Sequence, residues 1–205
     1  MELLLIRHGE STWNAEGRIQ GWADPPLSER GHTQAQLLAH RLSGDGKIGA
    51  LHASPSRRAA ETAGIIGQEM KLVTRLDERL REGGSGELTG LTVKGVQEQF
   101  PEVWQSWREG TLRPVIPGGE DIEALQRRVA EVMGEIVAAH DPDGRVAVVS
   151  HGGTFCAYLA HLVGLDIHRT SPFRFDNASL SIVSVRDARP RIVTLNDTCH
   201  LHETI

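Results

Sequence analysis

Arg145-Val146-Ala147-Val148-Val149-Ser150, followed at once by His151-Gly152-Gly153, is the stretch that decides the fold. A continuous valine-rich run predicts a strand buried on both faces, as in a parallel sheet. Upstream, Ile122, Leu125, Val129, Val132, Met133 and Ile136 recur with a 3.6 period for about four turns, which predicts an amphipathic helix. Downstream, an apolar helix is expected to about Leu162. Helix, strand and helix therefore follow one another around a glycine-containing strand end.

The same grammar governs the first third of the chain. Leu3 to Ile6 form a short apolar run that stops at Arg7-His8-Gly9. Ser28 is placed to cap a helix carrying Ala35, Leu38, Ala39 and Leu42, which Gly44 and Gly46 stop. Ala50 to Ala53 read as a second short strand. Pro55 is expected in the first turn of a helix that carries Arg57 and Arg58. Near the other end, SLSIVSV (179–185) and RIVTL (191–195) read as two closing strands. Strands alternating with helices predict an α/β domain with a mostly parallel sheet. From Leu76 to Pro117 the pattern is less regular. Gly83, Gly84, Gly86, Gly90 and Gly95, followed by the PEVWQSW segment (101–107), suggest a cap over a site, or two short helices and a loop.

Length and composition narrow the function classes. A chain of 205 residues fits one domain better than two. Its net charge of −5 argues against coating nucleic acid or an anionic membrane, which needs a broad basic face. Two cysteines, Cys156 and Cys199, are too few for a disulfide framework. No secretory leader and no membrane-length apolar run is evident. The expected setting is soluble, reducing and cytoplasmic. Oligomeric state stays open, with a homodimer as the base-rate default.

Two strand ends, at His8-Gly9 and His151-Gly152, carry an imidazole beside glycine. Ligands of open α/β sheets bind outside such carboxyl ends. A third strand end, Ser54-Pro55-Ser56-Arg57, adds a guanidinium where a helix N-terminus is already positive. An anionic ligand would offset that placement. A metal is disfavoured, because Arg7 and Arg57 would repel it. A phosphoryl group fits, since fixed positive charge is what its transfer requires.

These residues stand in an ordered series: LLLIRHGESTWNAEGRIQGWADPPLSERG (3–31), SPSRRAAETA (54–63), LREGGSGELTG (80–90), PGGED (117–121), VVSHGGT (148–154) and LNDTCHL (195–201). The series resembles the histidine phosphatase superfamily, which includes the cofactor-dependent phosphoglycerate mutases. The resemblance implies a three-layer α/β/α fold of the phosphoglycerate mutase-like kind, one domain over 1–205, with about 83–117 as a cap or insertion over the site. It implies a metal-independent phosphomonoesterase acting on small phosphorylated metabolites, with no cofactor. His8 would be the nucleophile that becomes phosphorylated. Arg7, Arg57 and His151 would bind phosphate, with Gly152 beside them. Glu82 would be the proton donor, and would need to hold a proton near neutrality. Asn14, Gln20 and Gly21 would contact the substrate or the transferred group.

The alternative within this resemblance is a 2,3-bisphosphoglycerate-primed mutase. GELTGL (86–91) leans that way. Against it, Gly83 and Gly84 stand where mutases place an arginine and a tyrosine after the acid, and Glu109 stands where they carry a second arginine. A carboxylate facing a bisphosphorylated ligand would repel it. A low-turnover phospho-ligand-binding protein is a third class, disfavoured because every reacting residue is present. Among smaller features, Trp104 and Trp107 are placed to line a cap. Glu120 suits a helix start or a substrate contact, and His200 with His202 has a metal-like spacing that lacks acidic or thiolate neighbours.

Overall fold

The computed structural model describes residues 1–111, 114–169, 172–186 and 189–202. Six strands form one sheet: β1 (Glu2–Arg7), β2 (Ala50–Ala53), β3 (Thr74–Leu76), β4 (Arg145–Ser150), β5 (Leu180–Arg186) and β6 (Arg189–Asp197). Their order is β3-β2-β4-β1-β5-β6. The first four are parallel, and β5 pairs antiparallel with both β1 and β6. Only β5 therefore runs against the rest, and the sheet is mixed but mostly parallel.

Alternation along the strands builds the layers. Leu3, Leu5, Val146 and Val148 point to one face, where α6 (Ile122–Ala139) and α7 (Gly152–Val163) cover them. Leu4, Ile6, Ala147 and Val149 point to the other, under α2 (Glu29–Gly44) and α3 (Arg57–Met70). All eight strand residues are essentially inaccessible to water. Each leucine, isoleucine or valine among them contributes roughly 1.5–3 kcal/mol on burial. The central strands thus read as unbroken apolar runs because helices lie on both sides.

Helix ends follow local chemistry. Ser28 accepts the Gly31 N–H at 3.0 Å and starts α2. Asp121 accepts the Ala124 N–H at 2.8 Å and starts α6. Ser11 and Asn14 form a reciprocal cap around the short α1 (Thr12–Ala15), an element not anticipated from sequence. Pro55 lies outside α3, whose N-cap is Ser56. The irregular middle contains both short helices, α4 (Val93–Gln99) and α5 (Pro101–Glu109). They close over a small core of Leu88, Val96 and Val103, with Ile19, Trp107 and Ile116 against it. No described helix is long and apolar enough to cross a membrane.

Candidate active site

Register assembles the site. β1 and β4 are parallel neighbours with Arg7 opposite Ser150, so His8 and His151 emerge side by side from adjacent strand ends. Their ring centroids are 5.1 Å apart at 63°. Both rings are buried. His8 is held from all sides: its N–H donates to Ser150 at 3.0 Å, and its carbonyl accepts from Ala178 N at 3.1 Å and Asn177 Nδ2 at 3.2 Å.

The side chain of His8 has a defined tautomer. Nδ1 lies 2.7 Å from the carbonyl of Gly9, so Nδ1 carries the hydrogen and donates it. Nε2 is left with the lone pair, which faces Arg58 Nε at 3.3 Å. Burial first, then Arg7 and Arg58, hold the imidazole well below its ordinary value of 6.5. His8 is therefore neutral at neutral pH, as a nucleophile must be. His151 is pushed the same way by burial and by Arg58, His8 and Arg7. Its Nε2 meets Ser54 Oγ at 2.8 Å, while Nδ1 is buried with no partner among the described residues.

The guanidinium beside His8 belongs to Arg58, and this corrects the expectation for Arg57. Arg57 points outward, with 57% of its side chain exposed and its Nε on Glu61 at 2.7 Å. Arg58 is buried. Besides meeting His8, it donates to the carbonyls of Ala23 at 2.8 Å and Gly21 at 3.1 Å. The reason is helical phase: Ala59, Thr62, Ala63, Ile66 and Gly67 face inward, and Arg58 falls on that stripe, while Arg57 and Glu61 fall off it. One residue rotates a side chain by roughly 100° about the axis. The period through Ala59, Ala63 and Ile66 was the available signal.

Arg7 is anchored by Nη1 on the carbonyl of Phe175, and its Nε is buried without a partner among the described residues. Burial lowers both arginines from their ordinary value, and Glu82 pulls both back up. Arginine stays charged regardless. Two buried cations thus line the cavity beside His8, and the unpartnered His151 nitrogen belongs to a ring that packs behind them against His8 without lining the cavity itself. An oxyanion would satisfy the cations.

Glu82 reaches the same place from the loop after β3. Its carboxylate accepts the N–H groups of Gly153 at 3.1 Å and Thr154 at 3.0 Å, in the first turn of α7. His151, the N-cap of α7, makes no side-chain cap bond, so Glu82 supplies that function. Gly153 has to be glycine for this approach: a Cβ there would sit 2.5 Å from a Glu82 oxygen. Gly21 adopts a positive φ of 49°, and a Cβ would sit 2.7 Å from Ser85 N. Its role is to turn the chain so that its carbonyl grips Arg58.

Asn14 and Gln20 line the cavity. Asn14 Oδ1 accepts from Asn177 at 3.1 Å, and Gln20 Oε1 accepts from Ser11 Oγ at 2.8 Å. Gly152 begins α7 beside Arg7 but lies outside the cavity wall. The cavity measures about 570 Å³, with Arg7, His8, Arg58 and Glu82 in its polar part and Ile19, Leu88, Trp107, Ile116 and Leu125 in its apolar part. A second cavity of about 570 Å³, between Glu10, Arg30 and Leu201, contains neither histidine. Trp107 lines the main cavity and Trp104 does not. Glu120 pairs with Arg128 at 2.7 Å, an arrangement missed from sequence, as were Ser54 and Asn177. His200 is buried and bonds the Ala178 carbonyl at 3.0 Å. Among the described residues no group of three candidate metal ligands is found.

An imidazole lone pair facing one guanidinium group, in a cavity that a second guanidinium and a carboxylate also line, is suited to phosphoryl transfer. Comparison with known proteins assigns the class. The family model "Histidine phosphatase superfamily (branch 1)" matches residues 3–198. Phosphoserine phosphatase 1 of Hydrogenobacter thermophilus is 37% identical over 99% of this chain and 95% of its own length. A protein of Yersinia pestis named "Probable phosphoglycerate mutase GpmB" is 34% identical over 98% of this chain and 95% of its own. The structure of mycobacterial glucosyl-3-phosphoglycerate phosphatase complexed with VO3 superimposes with a TM-score of 0.83 at 33% identity, covering 95% of this chain and 98% of that one. The chain belongs to the histidine phosphatase superfamily. It is a phosphatase that hydrolyses phosphomonoesters.

Proposed function

We propose that hydrolysis proceeds through a phosphohistidine on His8. The observation that carries this is the Nδ1–Gly9 bond of 2.7 Å, which leaves the Nε2 lone pair toward the cavity on a ring that burial keeps neutral. Nε2 attacks phosphorus, the ester P–O bond breaks, and Glu82 gives its proton to the departing alcohol. Water then attacks the phosphohistidine, its proton passes to Glu82, and inorganic phosphate leaves. Arg7, Arg58 and His151 bind the equatorial oxygens, where charge is concentrated in the transition state. Asn14 and Gln20 border the same space and fit a contact with the transferred group.

The substrate is a small phosphomonoester. Phosphoserine is the first candidate, because a 37% identical relative carries that activity in its name. The apolar wall around Trp107 and Ile116 leaves room for larger leaving groups. Two cysteines in 205 residues are too few for a disulfide framework, which supports a reducing, cytoplasmic setting.

The test is a panel of phosphomonoesters with phosphate release as readout, alongside His8→Ala. An acid-labile phosphoprotein in the parent enzyme, absent from His8→Ala, is expected. Equal, negligible release by both proteins would overturn the enzyme reading, and undiminished release by His8→Ala would refute the covalent mechanism. Fast interconversion of 2- and 3-phosphoglycerate in the presence of 2,3-bisphosphoglycerate, with little phosphate release, would favour the mutase instead.

A further inference from the structure

The loop that carries Glu82 has little regular structure of its own. It consists of one 3-10 turn, Glu78–Leu80, and then extended chain. Its backbone is held by side chains from elsewhere: Ser150 Oγ donates to the Leu80 carbonyl at 2.6 Å, Thr154 Oγ1 to that of Arg81 at 2.9 Å and Trp22 Nε1 to that of Glu82 at 3.0 Å, and one side chain from α6 makes more of these bonds than any of them. Arg128 uses all five of its N–H donors there. Nη1 donates to the carbonyls of Arg79 at 2.7 Å and Arg81 at 2.8 Å. Nη2 donates to the carbonyl of Glu82 itself at 3.0 Å and to Glu120 Oε2 at 2.8 Å. Nε donates to Glu120 Oε1 at 2.7 Å.

Glu120 in turn grips the far end of the loop. Its Oε2 accepts the Gly84 N–H at 3.2 Å, and its own N–H donates to the Gly84 carbonyl at 2.9 Å. Residues 79, 81, 82 and 84 are thus pinned by two side chains that are themselves mostly shielded, at 19% and 13% exposure. Such a pair is a costly way to gain stability, because desolvating two charges offsets much of their attraction. What an apolar pair would lack is directional grip on the three carbonyl acceptors of Arg79, Arg81 and Glu82. The guanidinium fork supplies that grip.

We propose that Arg128, braced by Glu120, is a positioning residue for proton transfer: it fixes the backbone from which the Glu82 carboxylate reaches the leaving-group oxygen. The proposal rests on Glu82 being the proton donor. Arg128 does not line the cavity and touches no reacting atom. Its influence is carried entirely by the loop.

A group that places an acid matters most when the leaving group needs a proton. An alkyl phosphate needs one, whereas 2,4-dinitrophenyl phosphate expels a stable phenolate unaided. The experiment follows the first-turnover phosphorylation of His8 with each ester, for the parent enzyme, Arg128→Ala, Arg128→Lys, Glu120→Gln and Glu82→Gln, with thermal melts to confirm folding. Arg128→Ala is expected to slow the alkyl ester by roughly a hundredfold, of the order attributed to general acid catalysis, and the dinitrophenyl ester by less than about threefold. Added guanidinium ion restores part of the alkyl rate. Arg128→Lys keeps the charge without the fork and follows the alanine variant. Should Arg128→Ala not fold, the lysine variant carries the same comparison, and Glu120→Gln, whose side chain also borders the cavity, is read for its selectivity between the esters alone. Equal slowing of both esters in folded variants would overturn the proposal. Selective slowing in Glu82→Gln but not in the Arg128 variants would overturn positioning while leaving the proton donor intact. No selective slowing in Glu82→Gln would overturn the proton-donor assignment beneath it.

Discussion

Adjacent arginines with opposite fates give a sharp test of the site. Arg58→Ala removes a guanidinium that contacts His8 Nε2 at 3.3 Å and would meet the transferring phosphoryl group. Loss of one fixed donor to developing charge typically costs 10²–10³ in kcat, about 2.7–4 kcal/mol. It also strips the Gly21 carbonyl of a buried partner at 3.1 Å, worth roughly 1–3 kcal/mol in stability. Removing a charge whose burial is unfavourable, the leading reason Arg58 is held below its ordinary value, brings the net loss toward the low end of that range. Arg57→Ala removes an exposed ion pair with Glu61, worth about 0.3–0.5 kcal/mol, and takes a cation from a helix N-terminus. Its activity should stay within about twofold of the parent, since a pair so weak has little leverage on the site. Arg58→Lys separates charge from geometry, because an ammonium cannot span His8 and both carbonyls. The assay is phosphate release from p-nitrophenyl phosphate at pH 7, with kcat and KM resolved, beside a thermal melt. If Arg57→Ala lost as much activity as Arg58→Ala, the phase assigned to α3 and the site built on it would be wrong.

Gly153→Ala should leave α7 folded, since alanine favours a helix interior by roughly 0.5–1 kcal/mol, yet displace the Glu82 carboxylate that a Cβ would meet at 2.5 Å. Turnover of alkyl phosphates should fall while the thermal melt holds; unchanged turnover would mean that Glu82 works from elsewhere. Stability should decline as pH drops below about 6.5. The unfolded chain protonates its histidines there, while buried His8 and His151, held well below 6.5, do not. His52, lowered to about 4 mainly by burial, adds to the slope until pH reaches that value. Each ring contributes at most about 1.4 kcal/mol per pH unit. Asp77 and Asp197 are held below 3.8 by Arg79 and Arg41, so their contribution fades only at lower pH. Urea unfolding at pH 7, 6 and 5 checks this, and a flat profile would contradict the burial of the two rings.

The sheet and the two histidines were legible because burial on both faces leaves an unmistakable mark. Val146 to Val149 and Leu3 to Ile6 allow no polar residue, so the first polar group after each run had to stand at a strand end. Arg58 was harder. A strand end fixes position to a residue, but a helix start requires its phase, and attention to Pro55 and the helix dipole gave no phase. The loop that bears Glu82 was harder still. Its conformation depends on distant side chains, among them Arg128 and Glu120, which lie 46 and 36 residues from the groups they hold. Local sequence has no means of announcing such a partner. Glu120 illustrates the limit: it neither caps α6, which Asp121 does, nor stands alone, and its pairing became evident only with the fold assembled.

The order of strands has a consequence for how the protein comes to life. β1 is flanked by β4 and β5, so the first strand made is enclosed by strands more than a hundred residues later in the chain. His8 acquires its neighbour His151 only when β4 pairs, and its carbonyl acquires Asn177 later still. Contacts of such long separation form slowly, after the loop-closure entropy has been met. A chain synthesised only through α3 already holds Arg7, His8 and Arg58, yet has nowhere to bind phosphate. The site is therefore complete only once β4 and β5 have been made and the sheet has closed.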